Sequence, residues 1–454
     1  MMAAMSEIAA ARPAPTDALT TAFAELVRLE NTNTNQIVIV EGALCAHRLA
    51  AAVHRAAQAF PLLRASHGAA AWRQPEAGSL GVSLHDWEGA CDFHDPAFRA
   101  MLMALSRSNR LDCSRRAACQ VYLVHARDRS SSCVYLTSAH AVADARSDCM
   151  LLARIMREYA SPGEPAHADA DHGFATLQEI VPDWYTRSAR WRRAVPAQWS
   201  IAQDVFRRDG GLHRRRSNDV PSQFVDFSHS IADDETVAAI AGSARQAGVT
   251  LNTLFLAALV RLLERNTFGR TTRVTCALSL RNSLPPRYGD SFRNYLIPIA
   301  VRSPRNLGTQ ALLRHLQSTM LAARQPAGLQ MGLGRLECLA QSVARPWLDP
   351  LTRFFIARSQ GTNACLSNPG VIAEDLSGFG PDHAVRQYTG FGCLLEPYDF
   401  ILYPPTVNGR LQFDVVYRRA AFRDIETELM GPYRAELAHL LNEVAHDGSE
   451  GASR

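Results

Sequence analysis

Apolar positions along the chain switch repeatedly between a period of two and a period near 3.6, so strands and helices alternate. The β-branched run 36–40 predicts a strand. It leads into 46–60, where Leu49, Val53, Ala57 and Phe60 form one helical stripe, and Pro61 to Arg64 closes that unit. Segments 118–125 and 132–138 predict two strands about the polar turn 127–130, a hairpin. After them Met150, Leu151, Leu152, Ile155, Met156 and Tyr159 recur at helical spacing. A loop rich in Pro, Gly, Ala and Asp follows at 161–173, then an arginine-dense stretch at 187–216. Beyond it the pattern restarts. Strands are predicted near 223–230, 271–280, 295–301 and 411–417, and helices at 233–246, 250–266, 310–324 and 425–444. Gly431-Pro432 should kink or split the last of these.

Two successive mixed blocks predict an α/β architecture with two lobes. The expected division is a flexible tail at 1–18, an N-terminal lobe at 19–175, a connecting segment at 176–220 and a C-terminal lobe at 221–454. Composition fits large buried cores: 454 residues, 47% hydrophobic and 20% charged, which excludes a disordered, collagenous or coiled-coil chain. No run of apolar residues is long enough to span a membrane. The first residues lack a basic n-region and carry Glu7 within their apolar part, a poor signal peptide, so the expected compartment is the cytoplasm. A net charge of +4 gives no argument for nucleic acid.

All 48 basic residues are arginine. Without lysine there is no Schiff-base amine and no P-loop lysine, so pyridoxal-phosphate enzymes and Walker-type NTPases are excluded. The ten cysteines include no C-x-x-C pair, so zinc-ribbon and thioredoxin readings fail and buried thiols are expected.

Among fifteen histidines, His140 is singled out by its setting. It ends an apolar strand, is followed by small residues and an amphipathic helix, and stands four residues before Asp144. Strand-to-helix junctions are where α/β proteins expose reactive groups. H-x-x-x-D alone is a weak signal: His167 and Asp171 repeat it in a loop, and a hydrogen-bonded core histidine would read the same way. His125, His229, His315 and His383 are read as structural.

The segment around His140 resembles the HHxxxDG motif of nonribosomal-peptide condensation domains and related acyltransferases, the chloramphenicol-acetyltransferase superfamily. Other stretches agree in order. Residues 42–64 resemble its early helix ending in P-L-L-R, and 246–265 resemble its G-V-T-x-x-x-x-L-x-A-A helix. The run from Ser279-Leu280-Arg281 to Asn294-Tyr295-Leu296-Ile297-Pro298 resembles G-R…G-x-x-x-N-x-L-P, and 397–417 resembles the closing strands. The likeness covers most of 30–445. It departs at Ala139, which replaces the first histidine, and at Ala145, which replaces the glycine. There is no DFGWG as in the plant branch; Leu366 to Gly370 resembles the S-N-x-G segment of the polyketide-associated branch.

The resemblance implies two chloramphenicol-acetyltransferase-like lobes in a V, an interface tunnel with His140 midway, and thioester donor and acceptor entering from opposite faces. It implies His140 as general base or acceptor-positioning group, Asp144 paired with Arg281 as structural support, and backbone amides near Ala145 as oxyanion donors. Asn368 and Ser367 are second-lobe candidates, Asn368 being read equally well as a turn residue. No metal or redox cofactor is implied; the donor is a phosphopantetheine thioester on an acyl or peptidyl carrier protein or on coenzyme A. The arginines at 187–216 are read either as a carrier or phosphopantetheine contact or as a solvated helix face. The expectation is a monomeric, free-standing acyltransferase of polyketide or nonribosomal-peptide metabolism making an ester or amide. The alternatives are an acyl-CoA-dependent alcohol O-acyltransferase of lipid metabolism and a non-catalytic carrier-protein binder.

Overall fold

The computed structural model describes residues 17–64, 66–67, 72–73, 80–114, 118–161, 176–177, 187–206, 216–265, 270–360 and 363–452. Among them two large sheets carry the architecture. The first is built on the expected hairpin: Cys119–Ala126 and Ser131–Ala139 pair antiparallel, and Asn33–Glu41 flanks the second of these strands, with Gln36 opposite Leu136. Val82–Trp87 adds in parallel at one edge. The other edge is closed by Val385–Phe391, a strand from far along the chain that pairs antiparallel with Asn33–Glu41.

The second sheet has seven strands, centred on Thr271–Ser279, Ala364–Leu366, Phe400–Tyr403 and Arg410–Arg418. Helices Ala46–Gln58 and Ala145–Ala160 cover the outer face of the first sheet, burying Leu49, Val53, Leu152 and Ile155. Leu251–Arg265 and Gly431–Ala452 do the same for the second. The inner faces meet: Ile37, Ile39 and Tyr135 share one buried cluster with Phe227, Ile401 and Val416. Strands buried on both faces carry no clean hydrophobic-polar alternation, and all nine residues of Ser131–Ala139 are buried.

At Gly431-Pro432, where a kink or split is expected, the helical run continues and changes its winding. A π-helical turn, Glu426–Met430, ends where Gly431–Ala452 begins. A Cβ on Gly431 would stand 2.9 Å from the Glu426 carbonyl oxygen, so only glycine fits there without a shift. Of the expected tail, Asp17 and Ala18 are among the described residues. Asp17 caps helix Ala18–Leu26, accepting from Thr20 N–H at 3.1 Å, and it pairs with Arg293 of the second lobe. Residues 1–16 of that tail and 162–173 of the loop lie outside the described residues.

The described part of the arginine-dense stretch is a helix, Arg187–Phe206. Its Asp204 meets Arg273, Arg302 and Arg335, and Arg216 is held by Glu396 and Asp399. Those contacts dock the segment on the second lobe. Residues 207–215 are outside the described residues. No single helix among the described residues is long and apolar enough to cross a membrane.

Candidate functional site

Strand Ser131–Ala139 ends one residue before His140, and the chain turns at once into helix Ala145–Ala160. The turn is fixed by N–H groups of Val142 and Ala143 donating to the Ala139 carbonyl. Ala139 is the last strand residue and is buried in the apolar core. Ala145 has helical backbone, so the missing glycine causes no strain.

His140 is only 8% exposed. Its Nδ1 lies 2.7 Å from the Ala143 carbonyl oxygen. A carbonyl only accepts, so Nδ1 carries the proton and Nε2 is the free lone pair of the neutral ring. Phe23 of helix Ala18–Leu26 packs on the imidazole at 4.3 Å between centroids. Burial lowers the His140 pKa below its ordinary value, and the Ala143 hydrogen bond and Asp144 charge offset only part of that. The ring is therefore neutral near pH 7.

The loop is gripped from both lobes. His140 N–H donates to Thr32 O at 3.1 Å, and Asn294 Nδ2 donates to the His140 carbonyl at 2.6 Å. Asp144 caps the helix by accepting from Ser147 N–H at 2.9 Å. It also accepts from Arg281 Nη2 and Nε at 2.8 and 3.2 Å and from Tyr295 N–H at 3.1 Å. Burial would raise this carboxyl, but the Arg281 charge and the donors outweigh it and hold it below the usual carboxylate range. The pair is ionised.

His140, Ala145 and Ser367 line one interlobe cavity of about 380 Å³. Its wall is largely apolar, with Leu336, Leu339, Ile356 and Tyr403 contributing. Cys276, Cys365 and Cys393 face it too. Burial pushes Cys276 and Cys393 up to about 12 and Cys365 well above its ordinary value, so all three are thiols and poor nucleophiles at neutral pH.

Asn368 is not brought to the cavity. Its Oδ1 accepts from Gly370 N–H at 2.7 Å, a turn that holds the side chain in local service. The histidines read as structural each have partners: His125 with Ser132, His229 with Asp414, His315 with Arg302 O and His383 with Glu41 O. Two residues at the site escaped sequence reasoning. Phe23 sits in a helix next to an Ala/Pro-rich stretch. Asn294 lay inside a recognised motif, but its partner is a backbone carbonyl in the other lobe.

No protein-family profile matches the sequence, and no curated protein matches it. Solved structures do. The first condensation domain of the calcium-dependent antibiotic synthetase, in complex with a substrate analogue, superposes at TM-score 0.69 with 15% identity, over 94% of this chain and 96% of that one. The starter condensation domain of rhizomide synthetase, with C8-CoA, does so at 0.66 and 14%, over 95% of each chain. The SgcC5 protein from Streptomyces globisporus, with a naphthyl ethanediol and sucrose, does so at 0.63 and 15%, over 94% and 98%. At these identities the likeness is one of fold: the two-lobed condensation-domain fold.

Proposed function

We propose that this chain, with its condensation-domain fold, is an acyltransferase that moves an acyl group from a phosphopantetheine thioester to an alcohol or amine. The thioester would be carried by an acyl carrier protein or by coenzyme A. One observation carries the reading: His140 is held with Nδ1–H on the Ala143 carbonyl while the ring lines a mostly apolar interlobe cavity. That leaves a neutral base where an acceptor can meet it.

In the proposed reaction Nε2 of His140 takes the proton from the acceptor O–H or N–H as that atom attacks the thioester carbonyl. The negative charge on the tetrahedral carbonyl oxygen would be met by the Ala145 N–H and the positive end of helix Ala145–Ala160. Collapse breaks the C–S bond, and the proton passes from the imidazole to the leaving thiolate. Asp144 and Arg281 shape the loop and take no proton. The neighbours bound to C8-CoA and to an ethanediol support a thioester donor and a hydroxyl acceptor. The protonated cavity cysteines favour direct transfer over an acyl-cysteine intermediate.

An intact-mass assay tests this reading. The protein is incubated with acyl-loaded carrier protein or acyl-CoA and a panel of alcohols and amines. Loss of the acyl mass with matching acyl acceptor, abolished by His140→Ala, is expected. Carrier binding without any transfer would instead support the non-catalytic reading.

A further inference from the structure

The His140 cavity adjoins a second cleft. This one, of about 390 Å³, lies among helices Arg187–Phe206, Pro326–Val343 and Asp349–Gln360, and shares Pro298, Leu336, Leu339 and Ile356 with the first. Strand Leu296–Pro304 runs beneath both: Pro298 lines the two spaces, and Ala300, on the same face two residues on, lines the second. Leu336 and Leu339 stand at i and i+3 on one helix, so they present a single apolar ridge between the spaces. Gly332, a turn earlier, lets that helix lie close on the strand: a Cβ there would meet Ile297 Cδ1 at 2.8 Å.

On its other side the His140 cavity meets a third space, of about 690 Å³, through Glu30, Arg353 and Phe391. Its wall is polar, with Asn31, Asn33, Ser106, Ser108, Arg107 and Arg110. The imidazole cavity thus has a polar neighbour in one space and a more apolar one in the other, whose lining also includes Gln198, Arg335, Gln341 and Arg345. A molecule with a hydrophilic arm, a reactive carbonyl and an aliphatic tail matches that order.

The geometry points to a long-chain acyl thioester as donor, its tail crossing the Leu336–Leu339–Ile356 ridge into the lateral cleft and its polar arm leaving by the Asn31–Asn33 side. Leu339 and Ile356, both half-buried, are the specificity-determining residues for chain length. This rests on the acyltransferase reading but is tested by binding alone, which needs no acceptor.

Calorimetry with butyryl-, octanoyl-, dodecanoyl- and hexadecanoyl-CoA gives the first measurement. Each buried methylene is worth roughly fourfold in affinity, so hexadecanoyl-CoA should bind more than about 100-fold tighter than butyryl-CoA. Leu339→Trp and, independently, Ile356→Trp should weaken the two longest chains by about tenfold or more. Both should weaken butyryl-CoA by a clearly smaller factor than hexadecanoyl-CoA, and thermal unfolding of each variant reports its folding. The second measurement needs no variant: dodecanoyl-CoA with a terminal diazirine is photolysed on the wild-type protein. Crosslinks within 198–202, 335–342 or 352–356 are expected. Affinity independent of chain length, equal weakening of all lengths by both variants, or crosslinks at 31–35 and 106–110 would overturn the assignment. Absent transfer by the wild-type protein together with intact chain-length dependence would sink only the catalytic reading.

Discussion

Arg281 reaches across the lobe interface to Asp144 with two guanidinium nitrogens, at 2.8 and 3.2 Å, while also donating to the carbonyls of Ser291 and Arg293. Asp144 is 1% exposed and depends on that charge to remain ionised. Removing the guanidinium strands a buried carboxylate, so Arg281→Ala should cost about 3–5 kcal/mol of stability. Asp144→Asn keeps a cap for helix Ala145–Ala160 but abolishes the charge, and in that background Arg281→Ala should cost clearly less. Urea unfolding of the four proteins checks this. Additivity to within about 0.5 kcal/mol would show the pair to be uncoupled.

His140 fixes the direction of the activity profile. Its pKa lies below the ordinary 6.5 because burial disfavours the imidazolium. The base form is lost as pH falls through that value, so the rate should be flat near pH 7–8 and decline only in more acidic buffer. The half-rise of kcat/KM against pH is the measurement; a half-rise above 6.5 contradicts a desolvated ring. His140→Ala should lower kcat by about 100-fold or more, the usual range for a lost general base.

Much of this site is legible in the sequence for local reasons. The hairpin ending at Ala139 is a β-branched run broken by a polar turn, and the small residues after His140 give way to a helical stripe. What escaped is non-local or contrary to propensity. Strand Val385–Phe391 pairs with Asn33–Glu41, a partner over 340 residues away, and nothing in its own pattern names that neighbour. Helix Pro326–Val343 carries Gly328, Gly332 and Gly334, which disfavour helix locally, and packing of Leu329, Leu333 and Leu336 overrides them. At Asn368 the turn reading is the one with a visible contact, Gly370 N–H donating to its Oδ1.

Asn294 illustrates the same limit and yields a prediction. Its Nδ2 satisfies the His140 carbonyl, and its Oδ1 accepts from Leu296 N–H at 2.9 Å. Asn294→Asp keeps the acceptor and loses the donor, leaving the His140 carbonyl facing a carboxylate. As a positioning residue it should change kcat by about tenfold or more with KM nearly constant, because only the reacting ring is displaced. Asn294→Asp with wild-type kcat would assign the contact to folding alone.

Asp148 lies one helical turn beyond Asp144 and is fully buried. Thr34 and Ser138 stand beside its carboxyl and offset only part of the cost of burying it. Burial pushes its pKa up to about 7 from an ordinary 3.8. The unfolded chain therefore loses this proton near pH 4 and the folded chain near pH 7. Between those values the folded state holds the extra proton, so stability falls as pH rises from 4 to 7, and the full penalty is present above 7. Three pKa units correspond to a penalty on the order of 4 kcal/mol. Asp148→Asn has no such titration. Whatever its own packing cost, its stability relative to wild type should improve as pH goes from 5 to 8, measured by urea unfolding at each pH. A gap that stays constant over that range would mean Asp148 is ionised, or solvated, throughout.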